Sequence, residues 1–261
     1  MYDSRIGRRW ELDPIPFANE SQYSTFHGNP ILYSDPTGKT GQSTHTDEKG
    51  NVVAVKDDGD KGVYKHKGTG AEAKKKFDQN YNEKNTSASG EKMGESLHSL
   101  SFANQNVYNK TGEVKAEDIK IDFGSTDLTG KVEAITSTQP SVLEYFQKAG
   151  GGGDWDIKSH TTNGSLLYGK YASPRDAGNF AAGIVAERSG IEPIVQFGFG
   201  AYNLTGNNKP LTAVVTAGVV YLTIVNKHVG LTTAYLIGKY GEDKLSQRSI
   251  DLGKNYAKQN K

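Results

Sequence analysis

Apolar positions are unevenly distributed along the chain. Residues 39 to 120 are thin in large aliphatic side chains and rich in Lys, Asp, Glu, Asn, Ser and Gly, whereas residues 180 to 240 are the reverse. Such a shift predicts at least two parts with different packing. In the first part, Asn51-Val52-Val53-Ala54-Val55 and Val63-Tyr64 flank the polar, glycine-containing run 57–62, which predicts a β-hairpin. Glu72 to Phe77 can start a helix, Asn85 to Gly90 reads as linker, and the stretch 67–118 is expected to be a spacer with little structure. Ile119-Lys120-Ile121-Asp122-Phe123 alternates as a strand does.

Beyond this point helical periods dominate. Thr138 to Ala149 reads as a helix capped by Thr138 or Ser141 and stopped by the four glycines Gly150 to Gly153. Ser173-Pro174 places an N-cap before a proline at the first helical position, and the helix runs on through Ala181, Ile184 and Val185 to Gly190. Gly178 and Gly183 inside it suggest close approach of another backbone. Leu211 to Val225 and Leu231 to Ile237 read as a buried helical hairpin, the first run being too short for the roughly 20 residues that span a bilayer. Glu242 to Lys258 is amphipathic, with Leu245, Ile250, Leu252 and Tyr256 facing inward. The fold class expected is α+β, mostly helical towards the C-terminus.

The 261 residues suffice for one or two domains. A net charge of +1 makes no electrostatic demand for a nucleic-acid partner, and the absence of cysteine excludes disulfides and thiolate metal sites. The charged start, Met1 to Trp10, is not a Sec signal peptide. No P-loop, dinucleotide fingerprint or nucleophile elbow is present. One constellation carries potential chemistry: Asp154-Trp155-Asp156-Ile157-Lys158-Ser159-His160. Extended, it would put Asp154, Asp156, Lys158 and His160 on one face, two carboxylates, an amine and an imidazole able to polarise a phosphodiester or glycosidic oxygen. The plainer reading is a solvated strand face anchored by Trp155. Asp176 and Asn179, near the start of the next helix, can cap it or orient a ligand.

The first 38 residues are dense in turns: Asp13-Pro14, Gly28-Asn29-Pro30 and Asp35-Pro36-Thr37-Gly38. Together with Tyr2-Asp3, Ile6-Gly7-Arg8-Arg9-Trp10 and Tyr23, they resemble the end of the Rhs (YD-repeat) core. The resemblance implies an extended Rhs-core stub over 1–38, a polar spacer with the hairpin over 39–105 and a variable toxin domain over 106–261. Pro16 stands in place of the family's glycine and Lys39 in place of an apolar residue, so Asp13 and Asp35 read as turn formers rather than self-cleavage residues.

A second resemblance covers roughly 140–256. Gly152-Gly153-Asp154-Trp155-Asp156-Ile157-Lys158, then Asp176-Ala177-Gly178-Asn179 with Gly183, Phe199-Gly200-Ala201-Tyr202 and Gly241-Glu242-Asp243 are similar to the bacterial toxin 44 family (polymorphic toxin type 44). It implies an antibacterial effector that leaves its cell by a specialised, non-Sec route such as type VI secretion, enters a target bacterium, and is held in check by a cognate immunity protein. The activity implied is hydrolysis of nucleic acid, with Trp155, Asp156, Lys158, Asp176, Gly178 and Asn179 carried over by position, His160 added by proximity, and Asp154 a candidate from the constellation above. Two alternatives stand beside it: a peptidoglycan hydrolase using a carboxylate pair, and a membrane-disrupting toxin using 211–237. No cofactor is required by the sequence, and a divalent metal is compatible with it.

Overall fold

A computed structural model describes residues 41–260, apart from positions 83, 190, 191 and 207, together with two short strands near the start. Those strands, β1 (Tyr2–Asp3) and β2 (Arg8–Arg9), pair antiparallel. The other residues up to 40, including Asp13 and Asp35, lie outside the described residues. The fold is α+β and mostly helical, and it divides into two compact units: 1–125 with 163–172, and 126–162 with 173–261.

The first unit is built on a sheet of β3 (Gln42–Thr46), β4 (Val52–Asp57), β5 (Gly62–Lys65) and β6 (Glu91–Glu95), in the order β4-β3-β5-β6. The expected hairpin is corrected here. Both strands form, but they do not pair with each other; β3 lies between them, antiparallel to β4 and parallel to β5. Alternation along β4 sends Ala54 to one face, with Phe77 and Ala88, and Val55 to the other, with Val63, Phe102, Ile121 and Tyr171. Helix α1 (Ala71–Asn80) supplies Phe77, while α2 (Gln105–Thr111) is capped by Asn104, whose side chain accepts from the Val107 amide at 3.0 Å. The polar stretch 67–118 is therefore part of a packed unit rather than a loose spacer. Ile119 to Phe123 makes only isolated bridges, through Lys120 and Ile121, yet Ile121 is fully buried. The strands β7 (Ser165–Leu167) and β8 (Lys170–Ala172) close the unit as a hairpin.

The central strand β3 is Gln-Ser-Thr-His-Thr, polar throughout and buried at every position. Burial of polar groups is tolerated only when they are hydrogen-bonded. The Ser43 hydroxyl lies 2.6 Å from Asp58 Oδ2 and 2.9 Å from His45 Nε2, and His45 Nδ1 lies 3.0 Å from His66 Nε2. Asp58 also accepts from the Ser43 and Asp60 amides at 3.2 and 3.1 Å and from the Tyr81 hydroxyl at 3.2 Å. The His45 ring is packed against Phe77, centroids 4.4 Å apart, and stacked on Tyr64.

The second unit is helical: α3 (Asp127–Thr136), α4 (Val142–Ala149), the single turn α5 (Ile157–His160), α6 (Pro174–Ser189), α7 (Glu192–Leu204), α8 (Lys209–Val225), α9 (Lys227–Gly241) and α10 (Lys244–Gln259). Helix α6 is its axis, packing on α10, α3, α5 and α4, while α7 packs on α9 and α8. The predicted starts are found. Ser141 accepts from the Glu144 amide at 3.2 Å. Ser173 accepts from the Asp176 amide and the Asp176 carboxylate accepts from the Ser173 amide, both at 3.3 Å, a reciprocal capping box. Asp243 caps α10 by accepting from the Leu245 and Ser246 amides.

Glycine sets the closest helix contacts. A Cβ on Gly183 would overlap the Ile250 carbonyl oxygen, and one on Gly253 would overlap the Phe180 carbonyl oxygen, so α6 and α10 meet backbone to backbone. Gly178 meets nothing, so only Gly183 fulfils the expected close approach. Gly183→Ala is therefore expected to destabilise the protein by about 1–3 kcal/mol through overpacking, whereas Gly178→Ala gains up to about 1 kcal/mol from helix propensity; urea melts of the two variants check the opposite signs.

Candidate functional site

The glycine run ends α4 as expected, but the segment after it does not extend. Its amides are committed locally: Trp155 donates to the Lys148 carbonyl, Asp156 to Gly153 and Ile157 to Trp155, at 2.9, 2.9 and 3.0 Å. No strand ladder remains available, and the chain turns directly into α5. The expected strand face of Asp154, Asp156, Lys158 and His160 is thus corrected to a turn followed by one helical turn, where period-2 alternation no longer applies.

The six singled-out residues are placed differently from one another. Asp156 is buried at 5% exposure, its carboxylate accepting from the Gly152 amide at 2.9 Å and the Ser159 hydroxyl at 2.5 Å, which closes the glycine turn. Asp154, Lys158 and His160 are exposed, and His160 Nε2 donates to the Gly153 carbonyl at 2.9 Å. Trp155 is half-buried under the Lys148 ammonium, which sits 4.5 Å from its ring. Asp176 is wholly inaccessible. Besides the capping box it accepts from the Ser249 hydroxyl at 3.0 Å and pairs with Arg175 at 3.4 Å, so its oxygens serve the α6–α10 contact. Asn179 sits half-buried one turn further along α6. Among the described residues, no group of three or more His, Asp or Glu side chains is placed to hold a metal ion.

One acid escaped the sequence reading as a site residue. Glu242, between α9 and α10, has its carboxyl pushed up to about 8 by burial and by the neighbouring Asp243, against the opposing pull of Lys158 and a hydrogen bond with Ser246. Gly241-Glu242-Asp243 was visible as a motif, but nothing in its spacing signalled that the first acid would be covered and the second spent on a cap.

The other feature is a surface. Every exposed large apolar side chain among the described residues lies between 204 and 236. Val214, Ile224 and Tyr221 are 67, 78 and 65% exposed, and Val225, Leu231 and Tyr235 join them. The helices of the predicted hairpin form, but its expected burial is corrected: of the residues expected inside, Val219 is buried at 7%, whereas Val214, Leu222 and Ile224 are exposed. The cause is the narrowness of the contact with α7. Phe197 and Ala201 pack on Val219, with Val215, Ala234 and Ile237 alongside, and Gly200 meets Gly241 and the Ile237 carbonyl directly. Small residues make that seam, so the larger ones point outward. At the tip, Asn226 caps α9 by accepting from the Val229 amide at 3.2 Å, and Lys227 and His228 are exposed.

No protein-family model, curated protein or solved structure matches the chain.

The raised carboxyl of Glu242 gives a signed pH effect. Its folded value of about 8 exceeds the unfolded glutamate value of about 4.3, so the folded state holds the proton more tightly, and stability declines as pH rises between those limits. Glu242→Gln cannot titrate. Its stability relative to the wild type is expected to grow from about pH 5 to about pH 8 and level off above that, as read by urea melts across the range.

Proposed function

We propose that the chain is the effector tip of an Rhs-type antibacterial toxin and that it acts on the lipid bilayer through the α8–α9 hairpin. The observation that carries this reading is the concentration of exposed apolar side chains on two adjacent helices. Large exposed apolar patches mark membrane or protein contact sites. Two further features favour lipid. From 193 to 241 the sequence contains no Asp or Glu, although the whole chain has 30, and its charges are Lys209, Lys227 and Lys239. Anionic headgroups attract such flanking lysines by about 1 kcal/mol each.

No described helix is long and apolar enough to cross a membrane. At a rise of about 1.5 Å per residue, the 17 residues of α8 fall short of the hydrocarbon core. The mode proposed is therefore interfacial: the hairpin lays its outer face into one leaflet and perturbs the bilayer by occupying area there. A hydrolytic reading is supported by a different observation, Glu242 held protonated near neutral pH, as a general acid requires, with Lys158 close enough to influence it.

Dye-loaded vesicles decide between them. The purified chain is expected to release dye from phosphatidylglycerol-containing vesicles, and the double variant Val214→Asp, Ile224→Asp is expected to lose at least about tenfold in rate, since a carboxylate placed at hydrocarbon depth costs a few kcal/mol. Both positions are already exposed to water, so the folded chain should tolerate the change. Absence of release, or toxicity in bacteria lost in Glu242→Gln but kept in the double variant, would overturn the membrane reading in favour of hydrolysis.

A further inference from the structure

The buried side chains of the first unit form a chain whose proton positions follow from chemistry. Asp58 Oδ2, as a carboxylate oxygen, can only accept, so the Ser43 hydroxyl 2.6 Å away donates to it. The Ser43 oxygen then accepts from His45, which places that ring's proton on Nε2, 2.9 Å away. His45 Nδ1 is left as an acceptor, so His66 donates to it from Nε2 across 3.0 Å. Every donor points towards Asp58.

We propose that this chain is a proton-driven switch: uptake of one proton reverses all three hydrogen bonds and leaves every member neutral. In the reversed state Asp58 Oδ2–H donates to Ser43, the Ser43 hydroxyl donates to His45 Nε2, His45 Nδ1–H donates to His66 Nε2, and the added proton resides on His66 Nδ1. The proton count balances. Three protons in the starting chain become four, the carboxylate charge is lost, and no imidazolium forms.

The surroundings favour this outcome over a buried cation. Ser43, His45 and Asp58 are buried, and so is His66. The groups facing them are Lys56 from β4, whose ammonium sits over the Phe77 and Tyr81 rings at 5.8 and 5.3 Å, Asp60 from the β4–β5 loop, Tyr64 from β5, and Phe77 and Tyr81 from α1 and its end. Asp60 is engaged by the Tyr64 and Thr86 hydroxyls at 2.6 and 2.8 Å, and its favourable pull on a His45 cation is outweighed by burial and by His66. Burial and the proximity of His66 push His45 down to about 3, and burial lowers His66 as well, while burial raises the Asp58 carboxyl. The carboxylate is the member whose charge is neutralised.

Imidazole ¹⁵N shifts distinguish the two neutral tautomers from the cation. In the full chain at neutral pH, His45 and His66 are expected as Nε2–H tautomers. On acidification both should convert to Nδ1–H with one shared midpoint, which the Asp58 carboxyl ¹³C shift should also follow. Asp58→Asn should abolish that transition. Imidazolium shifts at either ring in step with Asp58, tautomers unchanged while Asp58 titrates, or unfolding with both rings still Nε2–H would each overturn the proposal. The wild-type titration is decisive by itself should the variant fail to fold.

Discussion

The seam between α7 and α9 is made by glycine. Because Gly200 meets Gly241 and the Ile237 backbone without intervening side chains, the small residues of the hairpin are used inward and the large ones remain outside. The same device joins α6 to α10 through Gly183 and Gly253, and there the surrounding helices α3, α4 and α5 cover what is left. At α8 and α9 the described helices leave the outer face in water, and the functional reading follows from that difference.

The first unit solves another problem. Its middle strand offers hydroxyls, an amide and an imidazole to an interior that would ordinarily take Val and Ile. Asp58 and His66 supply partners to Ser43 and His45, Tyr81 donates to Asp58 in turn, and the aromatic rings of Phe77 and Tyr64 pack against His45. The hydrogen bonds through Ser43 and His45 specify one arrangement, because slipping the strand by a single residue would exchange Ser43 and His45 for Thr44 at the same face. The fold around β3 and the hydrogen-bond chain through it are therefore one feature.

Much of the helical unit was legible in the sequence because its signals are local. Ser141 and Ser173-Pro174 mark helix starts, Gly150 marks a stop, and 3.6-residue periodicity runs between them. The sheet order was not legible, since β3 has no apolar residue and β4 and β5 therefore looked like neighbours. Asp154 to His160 misled for the opposite reason: a period-2 pattern was present, but amides bonded to the preceding turn made it a helical turn instead. Burial of the hairpin was misjudged because periodicity identifies a helix without saying what covers it. At the candidate site, Asp156 and Asp176 were read as site carboxylates, and the geometry engages them in turn closure and capping. Glu242 stood in a visible motif, but only the packing between α9 and α10 gave it its raised carboxyl.

Hydrogen–deuterium exchange of the full chain, with and without phosphatidylglycerol vesicles, tests the central claim most directly. Amides of α8 and α9 are expected to gain protection when vesicles are added, while those of β3 to β6 remain unchanged. Unaltered exchange across 209–241, or protection confined to 150–160, would contradict the assignment of the hairpin as the acting surface.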